Sequence, residues 1–175
     1  IKNPVLAIEA FSELIKDNLT KEVELIIVGE GSEEKALKTK VEEYGLQESV
    51  QFISWVSREE VIELMNSADV FLFPSVEGGG MVVLEAMASG LPVICLNFGG
   101  AGQMVDESSG FLIPVDDYNN AVLGLKNAMT QLLNDDLRVK VGAAGKLRAE
   151  RYFSWDNKGV FIDSVYKCLG QISIK

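Results

Sequence analysis

Short apolar runs alternate with longer amphipathic stretches along the whole chain. Pro4 opens a helical period, Val5-Leu6-Ile8-Ala10-Phe11-Leu14-Ile15, with proline at a first-turn position where it is tolerated. The run Val23 to Val28, bounded by Gly29 and Gly31, reads as a buried strand. A helix then starts at Ser32-Glu33-Glu34 and ends at Gly45, and Val50-Gln51-Phe52-Ile53 reads as a second strand. Ser57 followed by Glu60 spells a capping box for a helix reaching Ala68. Val70 to Pro74 is a third strand, and Met81 to Ser89 a short helix closed by Gly90. Pro92 to Leu96 and Phe111 to Val115 are the fourth and fifth strands. From Asp117 to about Ile172 the pattern is helical, with a break near Phe153-Ser154-Trp155.

Continuous apolar strands alternating with helices predict an α/β fold: a doubly wound parallel sheet with helices on both faces. No linker or repeat divides the chain, so residues 1–175 read as a single domain. Ligands of such sheets bind outside the carboxyl ends of the strands, which selects the loops after Val28, Ile53, Phe73 and Leu96.

Composition narrows the chemistry. The formal charge is −10, and the imbalance is confined to one part: residues 1–117 carry 7 basic and 21 acidic side chains, residues 118–175 carry 9 and 5. An acidic surface of that kind argues against nucleic acid as a partner. With no histidine in the chain, imidazole acid–base steps and His-based triads are excluded. Two cysteines, Cys95 and Cys168, are too few for a disulfide framework or a four-ligand zinc site. Their apolar surroundings predict reduced thiols and a cytoplasmic setting. No metal cluster or signal peptide is legible, and no run reaches the length of a membrane span.

The loop after Phe73 holds the candidate chemistry. Gly78, Gly79 and Gly80 lead directly into a helix, letting a ligand approach the backbone, while the first helical amides near Gly80, Met81 and Val82 lack intrahelical acceptors. With the helix dipole they suit an anion in a region poor in cations. Glu85 sits in the middle of an otherwise apolar helix, so it is expected to be buried and to need donors; a ribose diol supplies two, and a structural ion pair is the competing explanation. Glu77 precedes the glycines at the crevice mouth and can accept from sugar hydroxyls, or simply be solvated.

Glu77 and Glu85 form E-x7-E, followed by Ala86-Met87-Ala88-Ser89-Gly90-Leu91-Pro92-Val93-Ile94. This resembles the donor-binding signature of retaining GT-B glycosyltransferases of the group 1 family. The flanks agree in order: Lys2-Asn3 before the first helix, Val28-Gly29-Glu30-Gly31, Phe52, Ala68 to Ser75, Gly110 to Pro114, and Phe153-Ser154-Trp155. The resemblance covers nearly the whole chain. It implies a Rossmann-like carboxyl-terminal half of a GT-B fold that binds a nucleotide sugar, with no separate cofactor. It also implies retaining transfer to an acceptor hydroxyl, the donor diphosphate taking the acceptor proton. Carried over by position, Glu77 contacts the sugar hydroxyls and Lys2 the diphosphate, the two residues nearest the reacting centre. Glu85 holds the ribose, and the amides of Gly79, Gly80, Met81 and Val82 meet sugar or phosphate oxygens. The base lies against the loop after Ile53, where Val56 offers a main-chain contact, Trp55 either stacks on the base or packs beneath the loop, and Arg58 follows. A UDP-sugar is weakly favoured.

The sequence departs from that family pattern in three places. Glu77-Gly78-Gly79-Gly80 stands for E-G-F-G, and Ser54-Trp55-Val56 replaces a glycine-containing turn. The family's opening strand with its Gly-Arg, and the amino-terminal domain that binds the acceptor, have no counterpart. In the family strand order 3-2-1-4-5-6 that strand is central, so Val23–Val28 and Val70–Phe73 are expected to face each other across a gap one strand wide. Upstream residues are the favoured occupant, and the tail Gln171-Ile172-Ser173-Ile174-Lys175 the other. The basic carboxyl-terminal part suits an anionic membrane or a solvated helical surface equally. Two enzymatic alternatives are weaker: the E-x7-E spacing disfavours a sugar-nucleotide epimerase, and a dehydrogenase lacks its G-x-G-x-x-G. A non-catalytic nucleotide-binding or partner-docking domain stays open.

Overall fold

The computed structural model describes residues 2–17 and 21–170. Eight α-helices and five strands alternate among them: α1 Pro4–Ile15, β1 Leu25–Val28, α2 Glu34–Glu43, β2 Val50–Ile53, α3 Arg58–Ser67, β3 Phe71–Phe73, α4 Met81–Ala88, β4 Val93–Leu96, α5 Ala101–Met104, β5 Gly110–Ile113, α6 Tyr118–Gln131, α7 Asp135–Arg148 and α8 Trp155–Gly170. A π-helical turn, Ala149–Phe153, joins α7 to α8.

All pairing is parallel. β1 pairs with β2, Leu25 opposite Val50, and β3-β4-β5 form a separate sheet in which Phe71 lies opposite Val93 and Val93 opposite Gly110. The expected separation of the first strand from the third is therefore present: β1 and β3 each pair on one edge and not with each other. The tail 171–175, considered for the space between them, lies outside the described residues.

Helix α1 connects the two sheets. Its Leu6 and Ala10 pack with Ile94, Leu96, Ile113 and Leu125 on one face of the three-stranded sheet. Ile8, Phe11 and Leu14 pack with Leu37, Val41 and Val50 beside the two-stranded sheet. The other face of β3-β4-β5 is covered by Val83 and Met87 of α4, Ala101 of α5 and Ala149. Glu9 of α1 accepts from Tyr118 Oη at 2.7 Å and pairs with Lys40 Nζ at 2.8 Å, tying α6 and α2 to it.

Several expectations change. β1 is not fully buried: Ile26 and Val28 are exposed. They alternate with Leu25 and Ile27, which pack on the α1 side, and so lie on the opposite face of the strand. The carboxyl-terminal helical stretch breaks a second time at Leu132–Asn134, where Asn134 Oδ1 accepts the Leu137 N–H and caps α7. A short helix, α5, appears in the loop after Leu96. Cys95 is buried, its thiol pushed up to about 12 by burial, but Cys168 is exposed on α8 rather than in apolar surroundings. No helix among the described residues is long and apolar enough to cross a membrane.

Truncating Phe11, 2% exposed in the cluster that seats α1 beside the two-stranded sheet, removes contacts that neighbouring side chains cannot refill. We expect Phe11→Ala to cost about 3–5 kcal/mol in a denaturant titration, the scale for a fully buried aromatic. A cost below about 1 kcal/mol would show that α1 does not tie the sheets together.

Candidate functional site

The site gathers at the carboxyl ends of β1, β2 and β3. α4 starts at Gly80, which serves as its N-cap with φ +112°, a conformation that favours glycine. A Cβ on Gly80 would meet Phe73 only at 3.5 Å, an ordinary van der Waals contact, so the reason for glycine here is conformational. Gly78 and Gly79 differ. Neither has a positive φ, and a Cβ on either would meet nothing within 4 Å. Folding alone gives no reason for glycine there, and a Cβ on either would enter open space.

A second glycine-rich loop, the one after Leu96 that the sheet topology already selects, supports this one from behind. Gly100 N–H donates to the Gly78 carbonyl at 3.1 Å. A Cβ on Gly100 would stand 2.2 Å from the Gly79 carbonyl oxygen, and one on Gly99, at φ +55°, 2.0 Å from that of Glu77. The sequence sign of this role is the Gly-Gly pair itself, which begins three residues after β4 ends at Leu96.

Lys2 and Glu77 are brought together across 75 positions of sequence: Lys2 Nζ donates to Glu77 Oε2 at 2.6 Å, and Ser75 Oγ donates to the same oxygen at 2.8 Å. These two donors hold the Glu77 carboxyl below its ordinary range. Its side chain is 22% exposed, so it is neither free in solvent nor sealed off. The pair is possible because α1, fixed by its buried face, delivers Lys2, two residues ahead of its Pro4 start, to the end of β3.

Glu85 corrects an expectation. It is not buried: its side chain is 40% exposed, because α4 turns this face to the crevice rather than to the core. It is paired instead, Arg58 Nη2 donating to Glu85 Oε1 at 3.1 Å. Arg58 is the first residue of α3, whose capping box is formed as read: Ser57 Oγ accepts the Glu60 N–H, and Glu60 Oε2 accepts the Ser57 N–H at 2.7 Å. Trp55 is 77% exposed, so it does not pack beneath its loop. Its N–H donates to Glu30 Oε1 at 3.2 Å, which fixes the Ser54–Val56 turn to the loop after β1; Glu30 is a second residue whose role the sequence did not announce. Val56 is half-buried and lines a hollow of about 400 Å³ with Ile53 and Leu64. Met81 is exposed and Val82 packs partly against the core.

Another hollow, of about 620 Å³, lies along α2 between Gly31 and Glu42. It holds neither glutamate of the pair. Its Lys38 is already engaged by Glu34 at 2.6 Å, so volume and ligand chemistry point to different places, and the chemistry is the better guide.

With fold and site described, comparison with known proteins gives the class. Residues 1–148 match the family model described as "Glycosyl transferases group 1", and the chain belongs to that family. It is 31% identical over 147 residues to a GDP-mannose-dependent monoacylated alpha-(1-6)-phosphatidylinositol monomannoside mannosyltransferase of Corynebacterium glutamicum, covering 79% of this chain and 37% of that protein. It is also 31% identical over 137 residues to the UDP-Gal:alpha-D-GlcNAc-diphosphoundecaprenol alpha-1,3-galactosyltransferase of Escherichia coli, covering 77% of this chain and 34% of that protein. Among solved structures, sucrose-phosphate synthase from Thermosynechococcus elongatus aligns with a TM-score of 0.73 and 28% identity, over 93% of this chain and 42% of that one. The chain thus spans little more than a third of the length of these curated relatives.

The Lys2–Glu77 contact has a direct signature. Because the native carboxyl titrates below its ordinary value of 4.5, the pair contributes at neutral pH and is lost as pH falls through the depressed value. A carboxyl-carbon NMR titration should place the Glu77 midpoint below 4.5 and return it towards that value in Lys2→Ala. An unshifted midpoint in the unsubstituted protein would mean the ion pair does not persist in solution.

Proposed function

We propose that this chain is the nucleotide-sugar-binding domain, residues 1–175, of a two-domain retaining glycosyltransferase. An acceptor-binding amino-terminal domain of the same enzyme completes it. The reaction moves a sugar from a nucleoside diphosphate to an acceptor hydroxyl. The C1–O bond to the diphosphate breaks, a C1–O bond to the acceptor forms on the same face, and the acceptor proton goes to a diphosphate oxygen. The observation that carries the reading is the glycine loop between Glu77 and Glu85. Gly78 and Gly79 have no internal reason to lack a side chain, and they lie ahead of helical amides free to meet an anion.

Each residue then has a task. The α4 amides of Met81 and Val82, with Gly79 and Gly80, meet the sugar and diphosphate oxygens, and Lys2 neutralises the departing diphosphate. Glu77, held ionised by Lys2 and Ser75, orients the sugar hydroxyls; Glu85 accepts from the ribose. Trp55 is free to stack on the base, and Val56 offers its main chain. A UDP-sugar remains our reading of the donor. The two relatives above, one using a GDP-sugar and the other a UDP-sugar at equal identity, make the base a property to be measured. The lipid-linked acceptors in both relatives' names support an enzyme that works at a membrane face; the cytoplasmic setting and the lack of a separate cofactor are our reading from the sequence.

A binding module without turnover is separated from an enzyme by the two glutamates. In the full-length protein, Glu85→Gln should weaken nucleoside diphosphate and nucleotide sugar equally, by about 1–3 kcal/mol. Glu77→Ala should spare nucleoside-diphosphate binding and reduce turnover strongly, since its partners are on the transferred sugar. Near-normal turnover in Glu77→Ala at saturating donor would reject the assignment. Gly79→Ala provides a further check: stability should change by no more than about 0.5 kcal/mol, while donor affinity should fall.

A further inference from the structure

We propose that Arg58 is the positioning residue for Glu85, and that this pair sets the preference of the site for a ribonucleotide over a 2′-deoxyribonucleotide. The inference rests on the reading of Glu85 as the ribose acceptor and adds the group that aims it.

Glu85 stands on α4, at the end of the three-stranded sheet, and Arg58 on α3, which follows the two-stranded sheet. Their contact therefore crosses the crevice, as the Lys2–Glu77 contact does. Each of the two carboxylates is met by a cation from the first 58 residues, although residues 1–117 are strongly acidic. A half-exposed glutamate with three rotatable bonds samples many orientations, and a carboxylate that discriminates one hydroxyl from none has to be aimed. Arg58 is suited to aim it. Its backbone is fixed by the Ser57–Glu60 capping box, and its guanidinium is planar and charged at every accessible pH. The contact uses one donor, Nη2, and one acceptor, Oε1. Oε2 of Glu85 makes no hydrogen bond among the described residues, so a ribose hydroxyl can bond to it without displacing the arginine.

The pair is too exposed to matter much for folding, which makes it testable: exposed ion pairs add little to stability, so removing Arg58 leaves the domain intact. The experiment measures dissociation constants of UDP and 2′-deoxy-UDP, with GDP and 2′-deoxy-GDP in parallel. It uses the full-length protein and its Arg58→Ala, Arg58→Lys and Glu85→Gln variants, each verified as folded by circular dichroism. For the base that binds more tightly, the unsubstituted protein should prefer the ribonucleotide by about tenfold, the scale of one charged hydrogen bond. Arg58→Ala should reduce that preference to within about threefold, and Arg58→Lys should recover part of it. If Arg58→Ala weakens both nucleotides equally and leaves the ratio intact, Arg58 is a phosphate contact or a brace and the proposal is overturned. If Glu85→Gln also leaves the ratio intact, the reading of Glu85 itself fails. A ratio lost in Glu85→Gln but kept in Arg58→Ala overturns the present proposal alone.

Discussion

Burial of helix α1 is the constraint on which the rest of the structure depends. It contributes buried residues to the core of both sheets, Leu6 and Ala10 on one side and Ile8, Phe11 and Leu14 on the other. Each large side chain withdrawn from water contributes about 1.5–3 kcal/mol. The strands on either side do not pair with each other, so the relative placement of β1-β2 and β3-β4-β5 is set through this helix rather than through backbone hydrogen bonds. Site geometry follows from it. Lys2, one residue before the Asn3-Pro4 start of α1, reaches Glu77 only because the buried stripe fixes where that helix begins.

Electrostatics in the crevice follow from the same arrangement. The part of the chain that forms the crevice is acidic, so on the proposed reading a diphosphate is met mainly by fixed N–H dipoles, with very few cations. Those cations are spent on the two carboxylates in the described state. Lys2 pairs with Glu77 and Arg58 with Glu85, and both pairs sit at the crevice surface where water keeps each weak enough to be rearranged. The Gly99-Gly100 loop adds rigidity from behind, its carbonyl contacts leaving no room for a side chain between it and Gly78-Gly79.

Much of this was legible in the sequence because it is local. The alternation of apolar runs and amphipathic stretches gave five strands in the right order, and the Ser57–Glu60 capping box formed as written. The E-x7-E spacing pointed to the family to which the chain belongs. What was misread is what depends on packing. Glu85 was expected to be buried because α4 is apolar on nearly all sides, but one side of that helix faces a crevice instead of the core. The break at Asn134 was hidden because Leu132, Leu133 and Leu137 continue the apolar period through it. Glu30 and Gly100 act on loops distant in sequence, so no spacing rule announces them.

The central claim is that the donor lies across the two glutamates. Soaking the full-length protein with its nucleotide sugar and solving the complex tests it most directly. The account predicts ribose hydroxyls within hydrogen-bond distance of Glu85, diphosphate oxygens on the amides of Gly79 to Val82, and sugar hydroxyls on Glu77. A nucleotide seated instead in the hollow along α2, between Gly31 and Glu42, would contradict it.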